Sequence, residues 1–257
     1  MLLRQRQDSI LSALQADGAA SVRDLAQILN VSESTIRRDL EILDKNGELT
    51  RTYGGAVVRP RATVEDGESL DEGHYAAEAD VHLKEAIADA AAGLVSDGQV
   101  VLLDIGTTTP LIARRLRGRD VTVITSSLAV FDELRDDDAV RLLLLGGVVR
   151  RNYRTLVGSL TELALTQVSA DVLFLSCTGV RSSGHVVDNM AVEAPIKQSM
   201  IAASDRVVLL ASEKKFPGTG ALRLCSITDI DVMITTAGAP EELIEMCRNS
   251  GGEVVIA

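Results

Sequence analysis

Residues 31–57 read VSESTIRRDLEILDKNGELTRTYGGAV. Ile36, Leu40 and Leu43 fall at i, i+4 and i+7, the spacing of one buried helix face. A step of about 100° per residue then carries Ser34, Arg38, Glu41 and Lys45 to the opposite face, with Thr35 and Arg37 on its flanks. Ser32 stands where an N-cap is needed and Gly47 where a helix stops, so the spacing predicts a helix between them. Residues 48–58 read as two short strands around Tyr53-Gly54-Gly55, a hairpin.

Upstream, Leu3, Ile10, Leu11 and Leu14 recur at helical spacing until Asp17-Gly18. Ser21-Val22-Arg23-Asp24 has the form of a capping box opening a second short helix, whose buried face is expected to be Leu25, Ile28 and Leu29. Asn30-Val31-Ser32 is a tight connection to the third helix. Three helices and a hairpin make a winged helix-turn-helix. In such modules the early residues of the last helix reach base edges in the major groove. Ser34 and Thr35 can bond bases or phosphates, and Arg37 and Arg38 can grip phosphate or guanine with two hydrogen bonds. Adjacent arginines by themselves fit an ordinary solvated helix face better. The expected DNA contacts are Ser21, Ser32, Ser34, Thr35, Arg37, Arg38, Arg51 and Tyr53.

The stretch resembles the signature of the DeoR family of bacterial transcription regulators: V-S-x-x-T-I-R-R-D-L, a leucine-containing segment, then G-x-L-x-R-x-H-G-G-A. Ser32, Thr35, Ile36, Arg37, Arg38, Asp39, Leu40, Gly47, Leu49, Arg51, Gly54, Gly55 and Ala56 match. Tyr53 departs, placing a phenol where the family usually has histidine. The resemblance implies binding to double-stranded operator DNA.

Composition agrees with two jobs in one chain. The 257 residues, 46% hydrophobic and 25% charged, suffice for one or two globular domains. Six aromatic rings and no tryptophan rule against modules that stack bases on aromatic platforms. The net charge is −11, yet the first 60 residues are neutral, with eight basic and eight acidic side chains. The remainder, with 18 basic and 29 acidic, carries the whole charge. Cys177, Cys225 and Cys247 fall in no CxxC pair and read as reduced thiols of a cytoplasmic protein. His74, His82 and His185 form no ligand group, so neither a metal nor a cofactor is expected. The charged start is not a signal peptide and the apolar runs are too short to span a bilayer, so no membrane is expected.

The expected organisation is a winged helix-turn-helix over 1–58, a linker over 59–77, and a Rossmann-like α/β domain over 78–257. After a helix at about 81–95, seven apolar β-branched runs recur, at 100–105, 121–125, 140–145, 171–176, 206–211, 231–236 and 253–257. Helical stretches separate most of them, the pattern of a largely parallel sheet buried on both faces.

Asp104-Ile105-Gly106-Thr107-Thr108-Thr109-Pro110 lies where the first of these strands meets a helix. Glycine allows close backbone approach, amides point out of the helix N-terminus, and three hydroxyls add donors: an anion site, or equally a threonine-rich cap. Lys197 and Lys215 are the cations expected to converge on it, with Arg150, Arg151 and Arg154 as weaker alternatives. Asp104, Asp188 and Glu193 only accept when ionised and suit sugar hydroxyls. Ser159-Leu160-Thr161-Glu162 reads as a helix N-cap without function.

The D-x-G-T-T loop, Leu144-Leu145-Gly146-Gly147, Leu156-Val157-Gly158, the 193–197 segment and Lys215-Phe216 follow the order of the DeoR family's C-terminal domain. That domain is similar in fold to ribose-5-phosphate isomerase and glucosamine-6-phosphate deaminase, and binds sugar phosphates. The resemblance implies an effector site of Asp104, Gly106, Thr107, Thr108, Thr109, Ser126, Gly146, Gly147, Glu193, Lys197 and Lys215. Thr125-Ser126-Ser127 replaces the usual Thr-Asn-Ser, and Ser212-Glu213-Lys214-Lys215 the usual Asp-x-Ser-Lys. These departures bear on which sugar is bound more than on its phosphate. The expected function is repression of a sugar-metabolism operon, relieved by a phosphorylated sugar, by a homodimer or homotetramer with no catalytic residues. The alternative is a sugar-phosphate isomerase or deaminase with a DNA-binding appendage, in which Glu193 or Asp188 with Lys197 would supply base and cation.

Overall fold

The computed structural model describes residues 6, 7, 9, 10, 13, 14, 19–45, 49–52, 54–58 and 80–257. The chain divides into two compact units between Ser69 and Leu70. Leu3, Leu11, Gly47, Tyr53, the side chain of Lys45 and the linker expected at 59–77 lie outside the described residues.

The first unit contains β1 (Ala19–Ser21), α1 (Val22–Leu29), α2 (Glu33–Lys45), β2 (Leu49–Thr52) and β3 (Gly55–Val58). Its antiparallel sheet has the order β1-β3-β2. The strand β1 was not expected, because Ala-Ala-Ser carries no β-branched signal. It packs closely: a Cβ on Gly55 would lie 2.2 Å from the Ala20 carbonyl oxygen. Ser21 caps α1, accepting from the Asp24 amide at 3.1 Å and donating to the Asp24 carboxylate at 2.7 Å. Ile10, Leu14, Leu25, Ile36, Leu40, Leu43 and Leu49 close the core.

One residue of the expected core is misplaced. Ile28 is 66% exposed, and Val22 and Ala26 are buried instead. The buried stripe of α1 is Val22, Leu25, Ala26 and the half-buried Leu29, at i, i+3, i+4 and i+7, and Ile28 lies roughly 110° from its centre.

The second unit runs α3 (Val81–Gly93), β4 (Val100–Leu103), α4 (Thr109–Leu116), β5 (Thr122–Thr125), α5 (Leu128–Leu134), β6 (Arg141–Leu144), β7 (Val148–Arg150), β8 (Thr155–Val157) and α6 (Ser159–Leu165). It continues through β9 (Val172–Ser176), β10 (Gly179–Val180), β11 (His185–Asp188), α7 (Ala194–Ala202), β12 (Val207–Leu210), β13 (Leu222–Ser226), β14 (Val232–Thr235), α8 (Glu241–Asn249) and β15 (Glu253–Ile256). All seven expected runs join one parallel sheet, ordered β15-β14-β12-β9-β4-β5-β6. Every residue of β12 and β14 is buried, which explains their unbroken apolar sequences. One apolar layer centres on Leu102, Leu173, Leu209 and Met233, the other on Val101, Phe174, Val208 and Ile234. Alternate residues of each strand serve opposite layers.

The chain leaves β4 toward β5 and β6 on one side, and runs from β9 toward β12, β14 and β15 on the other. The gap between the carboxyl ends of β4 and β9 is therefore the topological switch point, where open α/β sheets bind ligands. Two antiparallel additions, the β7–β8 hairpin and the β10-β11-β13 sheet, border the parallel strands in sequence. The Ser159 cap is corrected: Gly158, at φ +99°, is the N-cap of α6, and Ser159 is already helical. Thr161 turns inward and donates to the Gly146 carbonyl at 2.7 Å.

Candidate functional site

On α2 the expected division of faces holds. Ile36, Leu40 and Leu43 are buried, while Ser34, Arg37, Arg38 and Glu41 are exposed. Ser32 caps the helix at the Thr35 amide, 3.2 Å away, and shares hydrogen bonds of 2.8 Å with the hydroxyls of Ser34 and Thr35. The two arginines differ. Arg37 pairs with Glu33 at 2.6 Å, whereas Arg38 has no ion-pair partner among the described residues. Arg51 is exposed on β2.

Asp39 is a residue whose role sequence reasoning missed. It is buried on the core side of α2 and takes the Arg6 guanidinium at 2.5 Å, a bond that raises the Arg6 pKa. An acid three residues after Ile36, on the apolar face, was the available signal.

In the second unit the switch point is polar and buried. The Asp104 Oδ2 atom accepts from the Ser176 amide at 2.9 Å and from its hydroxyl at 2.6 Å, and it is ion-paired with Lys197. Lys197, from α7, also donates to the Ser176 carbonyl at 3.1 Å and hydroxyl at 2.9 Å. Its ammonium faces Asp188 at 3.7 Å. Burial works against the Lys197 charge, but Asp104 and Asp188 outweigh it, and its pKa is raised. Asp188 is itself held by the amides of Asn189 and Met190 at 2.7 and 3.0 Å.

Glu193 occupies the N-cap position of α7 and accepts from Arg150 on β7 at 2.5 Å. Burial pushes its pKa up to about 7, against the opposing pull of Lys197 and Arg150. The guanidinium of Arg150 also lies 4.3 Å from the centre of the Tyr153 ring. Two carboxylate oxygens, Asp104 Oδ1 and Glu193 Oε2, are fully buried yet accept no hydrogen bond. Both residues line a narrow cleft, together with Ile105, Ser126, Thr155, Val157, Ile196 and Lys197.

At its rim, Gly106 has φ +132°, and a Cβ there would stand 3.1 Å from the Ser176 hydroxyl. Gly106 and Thr107 are exposed and Thr108 half-buried, directly before α4. Thr109 is buried and reaches the Gly106 carbonyl at 3.4 Å. Thus the structure brings together Asp104, Ser126, Glu193 and Lys197, with the 106–109 loop adjoining. Gly146, Gly147 and Lys215 do not line the cleft: the glycines form the turn between β6 and β7, and Lys215 ends a short 3-10 turn after β12. Lys215 is near enough to Cys177 to oppose the burial that pushes that thiol up to about 11. Arg154 pairs with Asp132, and Arg151 is exposed. Thr155, Val157 and Ile196 are additions that sequence reasoning did not supply, although Arg150 stood among its weaker alternatives.

Cys177, Cys225 and Cys247 are free thiols. Among the described residues no three metal-ligating side chains cluster, and no helix is long and apolar enough to cross a membrane.

A helix-turn-helix with a solvated reading face, followed by an α/β unit with a polar cleft at its switch point, defines a ligand-responsive transcription regulator. The chain belongs to the DeoR family: residues 6–61 match the DeoR-like helix-turn-helix domain and residues 79–237 the DeoR C-terminal sensor domain. It is 30% identical over 247 residues to an L-fucose operon activator of Haemophilus influenzae, covering 96% of this chain and 97% of the relative. It is also 30% identical over 237 residues to the transcriptional repressor AccR of Agrobacterium fabrum, covering 91% and 90%. Among solved structures, ribose 5-phosphate isomerase A of Methanocaldococcus jannaschii aligns with 53% of this chain and 54% of its own, at 19% identity and a TM-score of 0.39. That likeness is too slight to argue from.

Proposed function

We propose that this regulator represses a sugar-metabolism operon and is released from its operator by a phosphorylated sugar bound at the β4–β9 switch point. The observation that carries the reading is the pair of buried oxygens without partners, Asp104 Oδ1 and Glu193 Oε2, on residues lining one cleft. A buried acceptor left unsatisfied costs about 1–3 kcal/mol, more when charged, and a polyol supplies the missing donors. The amides of residues 106–108 and the hydroxyls of Thr107 and Thr108, at the start of α4, suit the phosphate. Lys197 serves as the buried countercharge of Asp104 and Asp188 and not as a phosphate clamp, since its ammonium is already shared among them and Ser176.

The enzyme alternative places a base and a cation side by side, and Glu193 with Lys197 supplies both types. Two features favour sensing: Arg150 engages the carboxylate of Glu193, and the chain carries a DNA-reading unit. The test is fluorescence anisotropy of operator DNA titrated with a panel of sugar phosphates, with turnover of each measured in parallel. One sugar phosphate should lower operator affinity about 5- to 150-fold without being consumed. Turnover would establish the enzyme, and a tighter complex would make the protein an effector-activated DNA binder.

A further inference from the structure

The floor of the cleft holds more negative charge than positive. Three carboxylates, Asp104, Asp188 and Glu193, meet two cations, Lys197 and Arg150, and every one of these side chains is 12% exposed or less. Both cations are already committed. The Lys197 ammonium is shared among Asp104 Oδ2, Ser176 and Asp188. The Arg150 guanidinium donates to Glu193 Oε1 and lies over the Tyr153 ring. Lys215 stands outside the cleft and is half-buried, so water screens it.

The six carboxylate oxygens are unequally served. Asp104 Oδ2 and Glu193 Oε1 take the cations, and Asp188 Oδ2 faces Lys197. Asp188 Oδ1 accepts from the amides of Asn189 and Met190 and from the Thr178 hydroxyl at 3.3 Å. Asp104 Oδ1 and Glu193 Oε2 accept nothing. The rest of the lining offers them little: Ile105, Val157 and Ile196 carry no donor, and Thr155 spends its hydroxyl hydrogen on the Ser126 carbonyl at 3.3 Å.

Hydroxyl groups alone would complete the hydrogen bonding and leave the charge unbalanced. A buried charge without a counterion is costly, and such a site takes up a proton or a cation. Burial and the neighbouring Asp104 charge push the Glu193 pKa up to about 7, so near neutrality a proton on that carboxyl supplies the missing positive charge about half the time. A protonated amine brings the charge together with three donor hydrogens, whereas a hydroxyl brings one hydrogen and no charge.

We infer that the ligand of this cleft is a phosphorylated amino sugar, in which an ammonium takes the place of one of the hydroxyls beside Asp104 Oδ1 and Glu193 Oε2. The inference rests on the sugar-phosphate reading and narrows it. The ligand is dipolar, with its phosphate at the amides of residues 106–108 and its ammonium at the carboxylate floor. An N-acetylated sugar, which has lost the charge and gained bulk, fits the floor poorly by the same argument.

Calorimetry of the full chain at pH 7, without DNA, tests amine and phosphate separately. The ligands are glucosamine, glucosamine 6-phosphate, glucose 6-phosphate and N-acetylglucosamine 6-phosphate, with their galacto and manno counterparts. In one of the three series the amino sugar phosphate should bind about 10- to 150-fold more tightly than its hydroxyl and N-acetyl analogues, the range for a hydrogen bond between charged groups in a buried site. Glu193→Gln removes the surplus charge and should reduce that preference at least about fivefold, with an unchanged thermal melt showing that the fold persists. The wild-type comparison decides even where the variant does not fold. Equal affinity for amine and hydroxyl phosphates, or a preference for the N-acetyl form, overturns the inference and leaves the phosphate reading standing. A preference undiminished in folded Glu193→Gln overturns it as well. An amino sugar bound as tightly as its own phosphate overturns the phosphate reading and leaves the ammonium subsite standing, and binding of none of these ligands overturns both.

Discussion

Lys197→Met asks how the polar floor of the cleft is held. Methionine keeps most of the side chain's bulk, so the change removes charge and donors more than packing. In the wild type, one ammonium pairs with Asp104 Oδ2, donates to the Ser176 carbonyl and hydroxyl, and faces Asp188. All of this is buried: the side chains of Lys197 and Asp104 are 3% and 1% exposed. Breaking such a pair by deleting one partner typically costs about 3–5 kcal/mol. Asp104 keeps the Ser176 amide, and Asp188 keeps two amides, which together moderate the loss toward about 3 kcal/mol. Urea unfolding of the full chain, fitted to the transition of the α/β unit, measures it. Asp104→Asn in the same background should recover part of the loss, because the stranded charge is gone, giving a coupling of about 1–3 kcal/mol in a double-mutant cycle. A single variant within about 1 kcal/mol of wild type, or strict additivity in the cycle, would refute the buried-countercharge account of Lys197.

Other expectations concern ligand and DNA. Because the Glu193 pKa sits at about 7 and a sugar hydroxyl donates to the ionised form, binding should release protons and weaken as pH falls from 8 to 6. The limit is about tenfold if only the ionised form binds, and calorimetry of Glu193→Gln should show this component gone; stronger binding at low pH would mean that a protonated Glu193 is the donor. Gly106→Val forces a side chain onto a backbone at φ +132° and toward the Ser176 hydroxyl, so effector binding should vanish while operator binding persists, both read by anisotropy. Arg38→Ala should cost about 1–3 kcal/mol on operator and less on random DNA. Arg51→Ala should weaken both alike and reduce the salt dependence by about one contact per protomer. Equal losses for Arg38→Ala on the two DNAs would assign it to phosphate.

The parallel sheet was legible because strands buried on both faces leave unbroken apolar runs, and each of the seven runs became a strand. The reading helix was legible for the converse reason: Ile36, Leu40 and Leu43 are buried and their opposite face is solvated. Short elements escaped. The run LLLLGGVV hides the end of β6 and the start of β7 in one apolar string, and β10 has only two residues. Ile28 misled because hydrophobicity alone places a residue in the core, whereas the register of an eight-residue helix places it outside. In the cleft, Asp104 and the glycine loop announced themselves as local sequence. The pairing of Arg150 with Glu193, 43 residues apart, has no local signature and depends on where the hairpin folds back.

That hairpin has one further consequence. Its strands carry Val148 and Val149 outward, and Arg150, Thr155 and Val157 toward the cleft. A ligand that donates to Glu193 would draw on the carboxylate that Arg150 holds, and Arg150 ends the short strand whose other two residues stand at the surface. Occupancy of the cleft would then be passed along three residues of backbone to the exterior of the α/β unit, without any movement of the parallel sheet beneath.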